Sequence, residues 1–417
     1  MKIKLPFIDL FAGCGGLSLG LEQAGFTPVY VNELNNDALE TYRINRKELP
    51  YLADPRFFSN DVGELTKKKG MLDQLTLNLK KEFGIKNGQL ALVVGGPPCQ
   101  GYSGIGHRRS YKVERKKIPS NYLYKDMARV IRQLRPKAFI FENVRGLLSA
   151  RWSVKGKKGE IINDVVKEFS KLKEYFVAPP ELLQCKDYGV PQNRPRIFIM
   201  GIRKDLDFQL SLGMPSFGLL PEKTEGEYPH PRELLGDLVD YQYSKKFVSK
   251  NYQHGPKTQI QFLLRKKKEG NSYYRKGDIL TEQEYSRHNE GVVKKFKYML
   301  EHGGEVTRKM KTKKFAQQLI PSKWNGNGPN ITATSLPDDY VHFSQPRCLT
   351  VREWARLQMF PDWYEFKGKR TTGGIRRAGN PLQGNWDREL PKYTQIGNAV
   401  PVELARRIGC NIIKNLK

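Results

Sequence analysis

Short apolar runs alternate with amphipathic stretches over residues 5–205, and this alternation is the first indication of the fold. Runs with the length and composition of buried strands occur at 7–11, 29–31, 90–94, 138–141 and 197–200. Stretches with helical periodicity lie between them, for example at 36–46 and 125–134. Strands and helices that alternate in this way predict an α/β protein with a parallel, doubly wound sheet.

The pattern changes after residue 205. From 206 to 345 the apolar periodicity weakens, and Lys, Gly, Asn and Tyr become more frequent. A helical pattern returns at 349–358, and the tail from 393 to 416 is predicted to pass through a turn into a helix. Because 417 residues exceed the usual size of one compact domain, we expect the middle region to form a separate, smaller domain.

Charge suggests the kind of partner. The chain has a formal net charge of +29 and a pI of about 9.8. Residues 245–314 hold 19 Lys and Arg against 7 Asp and Glu. An excess of this size is typical of proteins that bind a polyanion, most often nucleic acid. The middle region is therefore predicted to present a basic surface to nucleic acid, with a solvated, loosely structured insertion as the alternative.

The cysteines and the N-terminus exclude several protein classes. The five cysteines are widely spaced, form no C-x-x-C pair and do not cluster with the six histidines, so no zinc site is expected. The first residues lead directly into a strand and do not resemble a signal peptide. No apolar run of about 18 residues is present, so no membrane span is expected. We expect a cytoplasmic protein from a reducing compartment.

A lone cysteine follows the strand at 90–94. The segment 95–103 reads Gly-Gly-Pro-Pro-Cys-Gln-Gly-Tyr-Ser, and its glycines and prolines form a rigid turn before Cys99. Chemistry in open α/β folds occurs at the carboxyl edge of the sheet, so Cys99 is a candidate nucleophile. Taken alone, an ordinary turn with a buried thiol is an equally good interpretation.

Charged side chains lie next to the ends of two further strands. Glu142 comes at the end of the strand at 138–141, where it would enter the same crevice as Cys99. A cysteine and a carboxyl group in one crevice favour covalent catalysis with acid assistance. Arg194 and Arg196 precede the strand at 197–200, and their spacing would direct both to one side of an extended segment. They could bind an oxygen or phosphate and help to keep Cys99 as the thiolate.

A glycine-rich turn follows the first strand. Residues 9–18 read Asp-Leu-Phe-Ala-Gly-Cys-Gly-Gly-Leu-Ser, in which Gly13 and Gly15 would allow a ligand to approach the backbone beside a helix N-terminus. The spacing is not G-x-G-x-x-G, so a dinucleotide is disfavoured. Glu33, after the second strand, could accept hydrogen bonds from ribose hydroxyls, and Asp61 could accept one from an adenine amino group.

Together these segments resemble the DNA cytosine-5 methyltransferases of bacterial and phage restriction-modification systems. The resemblance comprises six motifs in family order and covers about half of the chain. The first four are 7–20, Pro97-Pro98-Cys99-Gln100, Glu142-Asn143-Val144 and Gln192–Arg196. The last two are 347–361, which braces the target-recognition domain, and Gln395-Ile396-Gly397-Asn398-Ala399-Val400-Pro401, which returns to the cofactor.

The resemblance implies a catalytic role for four residues. Cys99 would add to C6 of cytosine, and Glu142 would hydrogen-bond N3 and the exocyclic amine. Arg194 and Arg196 would orient the base and support the thiolate. The activated C5 would take a methyl group from S-adenosylmethionine, leaving S-adenosylhomocysteine, and no metal would take part. Base flipping is implied because the target atom is inaccessible within a duplex.

The resemblance also implies a cofactor site and a surface for double-stranded DNA. The cofactor residues would be Asp9, Phe11, Gly13, Gly15, Glu33, Leu34, Asp61, Pro97, Leu123, Asn398 and Ala399. Leu34 departs from the family, in which many members carry an aromatic residue next to the ribose-binding acid. The glycine- and charge-rich loop after Cys99 would close over phosphates. Residues proposed to contact DNA are Gln100, Ser103, Arg108, Arg109, Lys112, Lys323, Asn325, Asn327 and Thr332.

The family also implies the division of the chain. Residues 1–205 would form a Rossmann-like catalytic domain, 206–390 the target-recognition domain, and 391–417 a segment that returns to the first domain. Two alternatives remain open: the tRNA-methylating relative, which has a short recognition region, and a catalytically silent DNA-binding regulator. We expect a monomer, because flipping one base needs one crevice, and a cognate restriction endonuclease, if there is one, would act separately.

Overall fold

The computed structural model describes residues 3–98, 116, 118–206, 214–224, 228–311, 317–323, 328–332, 337–372, 376 and 389–415. Its central sheet has the strand order β3-β2-β1-β4-β5-β8-β6, and β7 also pairs with β8. The strands are β1 (Pro6–Leu10), β2 (Thr27–Asn32), β3 (Phe58–Ser59), β4 (Leu92–Gly95), β5 (Ala138–Val144), β6 (Tyr175–Val177), β7 (Glu181–Gln184) and β8 (Pro195–Arg203).

Strands β1 to β5 are parallel, as predicted. The parallel prediction is wrong for β8, which runs antiparallel to β5, β6 and β7. Only ten residues, 185–194, separate β7 from β8. A connection this short, without a crossover helix, produces an antiparallel pair. The reversal brings the start of β8 to the carboxyl end of β5, where Val144 lies opposite Arg196.

Helices cover both faces of this sheet, which confirms the doubly wound α/β prediction. The helices from the first part of the chain are α1 (Gly16–Ala24), α2 (Asn36–Ile44), α3 (Val62–Lys67), α4 (Met71–Phe83), α5 (Leu123–Leu134) and α6 (Glu160–Phe169). Those from the rest are α7 (Pro231–Leu235), α8 (Tyr243–Lys246), α9 (Gln259–Arg265), α10 (Glu290–Glu301), α11 (Val351–Leu357), α12 (Lys392–Asn398) and α13 (Val402–Asn415).

Alternation along each strand separates two apolar layers. Phe7 and Ile140 pack in one layer with α1, α11 and α13. Ile8 and Phe139 pack in the other with α3 to α6. The sheet is therefore buried on both faces, as the nearly continuous apolar runs in its strands predict.

The region after β8 contains short helices and little sheet. A small pair of strands, β9 (Gln318–Leu319) and β10 (Tyr340–Val341), lies beside α10. Helix α11 begins with a capping box, in which Thr350 and Glu353 each accept a hydrogen bond from the other's backbone N–H. Within the described residues, no helix is both long and apolar enough to cross a membrane.

Candidate active site

Four parallel strands end side by side, and the predicted site residues follow those ends. Leu10 lies opposite both Asn32 and Gly95, and Asn32 lies opposite Ser59. The residues just beyond these positions include Phe11, Glu33, Asp61 and Pro97. The carboxyl edge of the sheet thus gathers three acidic or aromatic groups next to the segment that leads to Cys99, as expected for a doubly wound fold.

The glycine-rich turn is tied to Glu33. The backbone N–H of Gly13 donates to Glu33 Oε2 at 2.8 Å, and that of Asn35 donates to Oε1 at 2.8 Å. Burial raises the pKa of Glu33, and these two hydrogen bonds oppose the rise. Each carboxylate oxygen keeps a further acceptor site. Gly13 has φ of +57°, and a Cβ placed on it would meet no atom within 4 Å, so the turn leaves open space beside Glu33.

Asp9, one of the predicted cofactor residues, lies beneath this turn. Its carboxyl is almost fully buried and accepts a hydrogen bond from Ser18 Oγ. Ser18 Oγ also lies 2.8 Å from the hydroxyl of Tyr42. Its burial and these bonds make Asp9 a support for the turn rather than part of the exposed surface that a ligand could touch.

The other predicted cofactor residues lie around the same edge. Leu34 is 73% exposed next to Glu33. Asp61 caps α3 by accepting the Gly63 N–H at 2.7 Å. Phe11 and Leu123 are partly buried and pack on the same apolar layer, and Pro97 is buried.

The C-terminal motif meets the glycine-rich turn in space. A Cβ on Gly16 would lie 2.5 Å from the carbonyl oxygen of Val400 and 2.9 Å from Cβ of Ala399. Asn398 ends α12 and is exposed. Gly16 is therefore needed for this close approach, which joins motifs almost 400 residues apart. In the part of the chain that is described, no group of three or more His, Cys, Asp or Glu side chains could hold a metal ion.

Glu142 and Arg196 form a buried charge pair beside Gly96. The distance from Arg196 Nε to Glu142 Oε1 is 2.8 Å, but neither atom makes a hydrogen bond in this arrangement. A Cβ on Gly96 would lie 2.7 Å from Glu142 Oε2. Burial raises the pKa of Glu142, and the charges of Arg196 and Arg194 oppose the rise. The two charged groups are thus in close contact, and Glu142 Oε1 and Arg196 Nε can still form hydrogen bonds to a third group.

Arg194 contacts backbone carbonyls, a role that its sequence position did not indicate. Its guanidinium is fully buried and donates to the carbonyl oxygens of Ile331, Gly397 (2.6 Å) and Ala399 (2.8 Å). The side chain therefore braces the turn after α12. The two arginines predicted to act together have different partners, although the charges of both oppose the rise that burial causes in the pKa of Glu142.

Gln192 connects the same segment to the bracing motif. Its side-chain amide donates to the carbonyl oxygen of Leu357 at 2.5 Å and to Gln358 Oε1 at 3.0 Å. Gln358 in turn donates to the carbonyl oxygen of Ile396 at 2.7 Å. The motifs at 192–196, 347–361 and 395–401 thus form one hydrogen-bonded unit beside the crevice.

Several predicted site residues lie outside the described residues: Cys99, Gln100, Ser103, Arg108, Arg109, Lys112, Asn325 and Asn327. The described segment before Cys99 ends at Pro98, and Asn143 Nδ2 donates to the carbonyl oxygen of Pro97 at 3.1 Å. This bond holds the residues before Cys99 next to Glu142. Of the remaining predicted DNA contacts, Lys323 is exposed, and Thr332 follows Ile331, whose carbonyl oxygen accepts from Arg194.

Sequence reasoning missed a buried network of charges in the bracing motif. Arg356 pairs with Asp237 at 2.6 Å and with Asp362 at 2.5 Å, and Arg265 pairs with Asp237 at 2.6 Å. All four side chains are fully buried. The one sequence signal was the presence of two arginines among the apolar residues of the segment 349–358, since buried charges occur in proteins when they are paired.

The chain is similar to several known proteins. The family model for C-5 cytosine-specific DNA methylases matches residues 5–414. The chain is 30% identical over 420 residues to the type II methyltransferase M.DdeI of Desulfomicrobium norvegicum, covering 97% of this chain and 87% of that protein. It is 31% identical over 420 residues to the type II methyltransferase M.PspPI of a Psychrobacter species, covering 98% of this chain and 79% of that protein.

A solved structure also has a similar fold. It is described as a DNA modification methyltransferase encoded within an E. coli prophage. The two chains superpose with a TM-score of 0.66 at 23% identity, and the match covers 99% of each chain. At 23% identity, this similarity is evidence for the fold alone.

Proposed function

The chain belongs to the family of C-5 cytosine-specific DNA methylases and is a DNA cytosine-5 methyltransferase, and from this premise we propose which residues carry out the reaction. The observation that supports the assignment best is Glu142. Its carboxyl is buried next to Gly96 and paired in charge with Arg196, and its Oε1 makes no hydrogen bond. It lies beside the segment that leads to Cys99.

Cys99 is the nucleophile in this proposal. Its thiolate forms a bond to C6 of a flipped-out cytosine, and the electron density that reaches C5 makes that carbon reactive. After methyl transfer, loss of the C5 proton and breakage of the bond to Cys99 release the methylated base. The strand order supports this assignment, because Glu142 directly follows Phe141, which lies opposite Gly95 on β4.

Glu142 binds the cytosine edge. A group that hydrogen-bonds both N3 and the exocyclic amine needs one donor and one acceptor, and a protonated carboxyl has both. The raised pKa of Glu142, caused mainly by burial, favours that protonated form. Arg196 holds the carboxyl in position. Arg194 fixes the neighbouring turn, so we assign it a positioning role.

S-adenosylmethionine supplies the methyl group when it is bound. The residues at the sheet edge fit such a ligand: Glu33 has free acceptor sites for two ribose hydroxyls, and Gly13 leaves open space beside it. Exposed Leu34 offers an apolar face next to Glu33. Phe11, Asp61, Pro97, Leu123 and Asn398 complete the proposed site, with Asp9 as a support below it.

The DNA partner lies against the basic middle of the chain in this proposal. Residues 206–390 form the target-recognition part, 1–205 the catalytic part, and 391–417 the segment that returns to it. The excess of Lys and Arg over 245–314 supports contact with the phosphates of double-stranded DNA. We propose that the enzyme acts as a monomer.

The experiment that tests this function combines a target map with two variants. The purified protein is incubated with S-adenosylmethionine and unmethylated bacterial genomic DNA, and 5-methylcytosine is mapped by bisulfite sequencing. We expect methylation at one short motif. Cys99→Ala should abolish it, and Glu142→Gln, which cannot supply the acidic proton, should lower the rate by about a hundredfold or more.

Glu403→Gln is the matched control, because Glu403 also pairs with arginines, at 2.7 Å and 2.8 Å, but both of those arginines lie on its own helix, α13. It should keep the wild-type rate. A Glu142→Gln enzyme as active as the control would contradict the assignment of Glu142. Absence of 5-methylcytosine in DNA, with methylation of tRNA instead, would favour the tRNA-methylating alternative.

A further inference from the structure

Residues 364–367, here called the connector, run from the end of the bracing motif across the cofactor side of the sheet. The backbone N–H of Glu365 donates to Asn45 Oδ1 at 2.9 Å, and Asn45 Nδ2 donates back to the Glu365 carbonyl oxygen at 2.8 Å. The N–H of Lys367 donates to Thr41 Oγ1 at 2.8 Å. The connector is therefore attached at two points to α2, the helix that begins just after Glu33 and Leu34.

One side chain of the connector reaches further, to the glycine-rich turn. The hydroxyl of Tyr364 donates to the carbonyl oxygen of Cys14 at 2.5 Å and accepts from Arg46 Nη1 at 3.2 Å. Its oxygen would lie 2.9 Å from a Cβ on Gly15. Tyr364 thus contacts the glycine-rich turn at Cys14 and Gly15.

The ring of Tyr364 is held in place by its surroundings. It is fully buried and packs against Phe360 and Phe366, with ring centroids 4.9 Å and 5.5 Å away. The carbonyl oxygen of Tyr364 accepts from Arg352 Nη2 at 2.9 Å, and Arg352 lies on α11. A fixed ring on a fixed backbone leaves the hydroxyl with little freedom, so it can define the position of the Cys14 carbonyl.

We propose that Tyr364 is a positioning residue for S-adenosylmethionine. It acts by fixing the backbone of Cys14 and Gly15, and hence the neighbouring Gly13 N–H that holds Glu33. Through Tyr364, the connector influences the affinity of the protein for the cofactor. The inference rests on the proposed function, because it assumes that Gly13 and Glu33 line the cofactor site.

Tyr364→Phe tests the proposal, because it keeps the ring and removes only the hydroxyl. We expect the Kd for S-adenosylmethionine, measured by isothermal titration calorimetry, to rise about three- to tenfold, as for the loss of one net hydrogen bond. KM for the cofactor should rise by the same factor, whereas kcat and KM for DNA should stay near the wild-type values.

Tyr175→Phe is the matched control. Tyr175 is a buried tyrosine on β6 whose hydroxyl donates to the carbonyl oxygen of Pro136 at 2.7 Å, at the other end of the sheet strands. Both variants lose one hydrogen bond donated by a buried hydroxyl, and Tyr364→Phe also loses the longer bond from Arg46. Thermal unfolding should therefore shift at least as much in Tyr364→Phe as in Tyr175→Phe. Its Kd for the cofactor should equal that of the wild type.

A third variant separates the proposal from its premise. Glu33→Ala removes the proposed ribose acceptor and should weaken cofactor binding strongly. If Glu33→Ala binds as tightly as the wild type, the proposed cofactor site is wrong. If Glu33→Ala is impaired while Tyr364→Phe binds normally, the inference alone is overturned. A fall in kcat as large as the rise in Kd would also overturn it, since that would indicate general loosening.

Discussion

Asp9 is an example of a single residue whose chemistry depends on its burial. It lies on β1 within an apolar layer and has Ser18 as its hydrogen-bond partner. Burial raises its pKa to about 7, well above the ordinary value of 3.8, although the bond from Ser18 opposes the rise. The folded protein therefore holds a proton at Asp9 over a pH range in which the unfolded chain has lost it.

This difference predicts a dependence of stability on pH. Below about pH 4 the carboxyl of Asp9 is protonated in both the folded and the unfolded state, so it does not lower the free energy of unfolding. As pH rises towards 7 only the unfolded state loses the proton, and the free energy of unfolding falls. The free energy of unfolding of the wild type, relative to that of Asp9→Asn, should therefore fall over this range, by at most about 1.4 kcal/mol per pH unit. Denaturant unfolding of both proteins at several pH values measures it.

Asp73→Asn serves as the control, because Asp73 is an exposed carboxylate on α4. Its unfolding shows how an Asp→Asn change at an exposed position alters the pH dependence of stability. A constant difference between wild type and Asp9→Asn from pH 4.5 to 7.5 would show that Asp9 has the same charge in both states.

At this scale the sequence predicted that Glu33 follows its strand. Glu142 was predicted to follow the strand at 138–141, but β5 continues to Val144, so Glu142 lies within the strand near its carboxyl end. It did not predict the partners of Arg194, because Ile331, Gly397 and Ala399 come close only in the folded chain. Spacing of i and i+2 indicates a shared side of an extended segment. It carries no information about which carbonyl a long side chain will reach.

Helix packing gives the clearest element-scale constraint. A Cβ on Gly20 of α1 would lie 2.4 Å from Ala405 Cβ and 2.4 Å from the carbonyl oxygen of Val402, both on α13. Because the second contact is backbone, a side chain cannot relieve it by rotating. The two helices can pack at this distance only with glycine at position 20.

Gly20→Ala should therefore separate α1 from α13 and destabilise the protein by about 1–3 kcal/mol or more. Gly236→Ala is the control, because Gly236 has right-handed helical backbone angles and no atom within 4 Å of a Cβ. That change should be neutral or stabilise by up to about 1 kcal/mol. Equal unfolding midpoints for the two variants in chemical denaturation would contradict the packing argument.

The elements themselves were predicted unevenly. The strands at 7–11 and 138–141 were found because their apolar runs are long and bounded. The direction of β8 was missed, because a strand buried on both faces has the same apolar run in a parallel and an antiparallel pair. Strand β3 has two residues and no run at all. Its position is set by pairing with β2.

At the scale of the whole molecule, positive charge has two separate uses. Four arginines in and beside the bracing motif are fully buried and bind carboxylates, hydroxyls or carbonyls: Arg265, Arg347, Arg352 and Arg356. Burial raises the pKa of Asp362 but the charge of Arg356 more than offsets this, so its pKa is lowered overall. Because their side chains are buried, these arginines cannot contact DNA phosphates in this conformation. Many other Lys and Arg side chains of the described residues are exposed, for example Lys294, Lys297 and Lys309.

The distribution of charge predicts how strongly DNA binding depends on salt. Each phosphate neutralised by an exposed Lys or Arg releases condensed counterions, so log K should fall linearly with log salt concentration. With about six to ten such contacts, affinity should drop roughly a thousandfold or more between 50 and 200 mM salt. Fluorescence anisotropy with a labelled duplex and Cys99→Ala protein, which binds without turnover, measures the slope.

Binding of S-adenosylmethionine over the same salt range is the control, because it should change little while the protein stays folded. A shallow slope for DNA would mean that the net charge of +29 serves some purpose other than contact with phosphates.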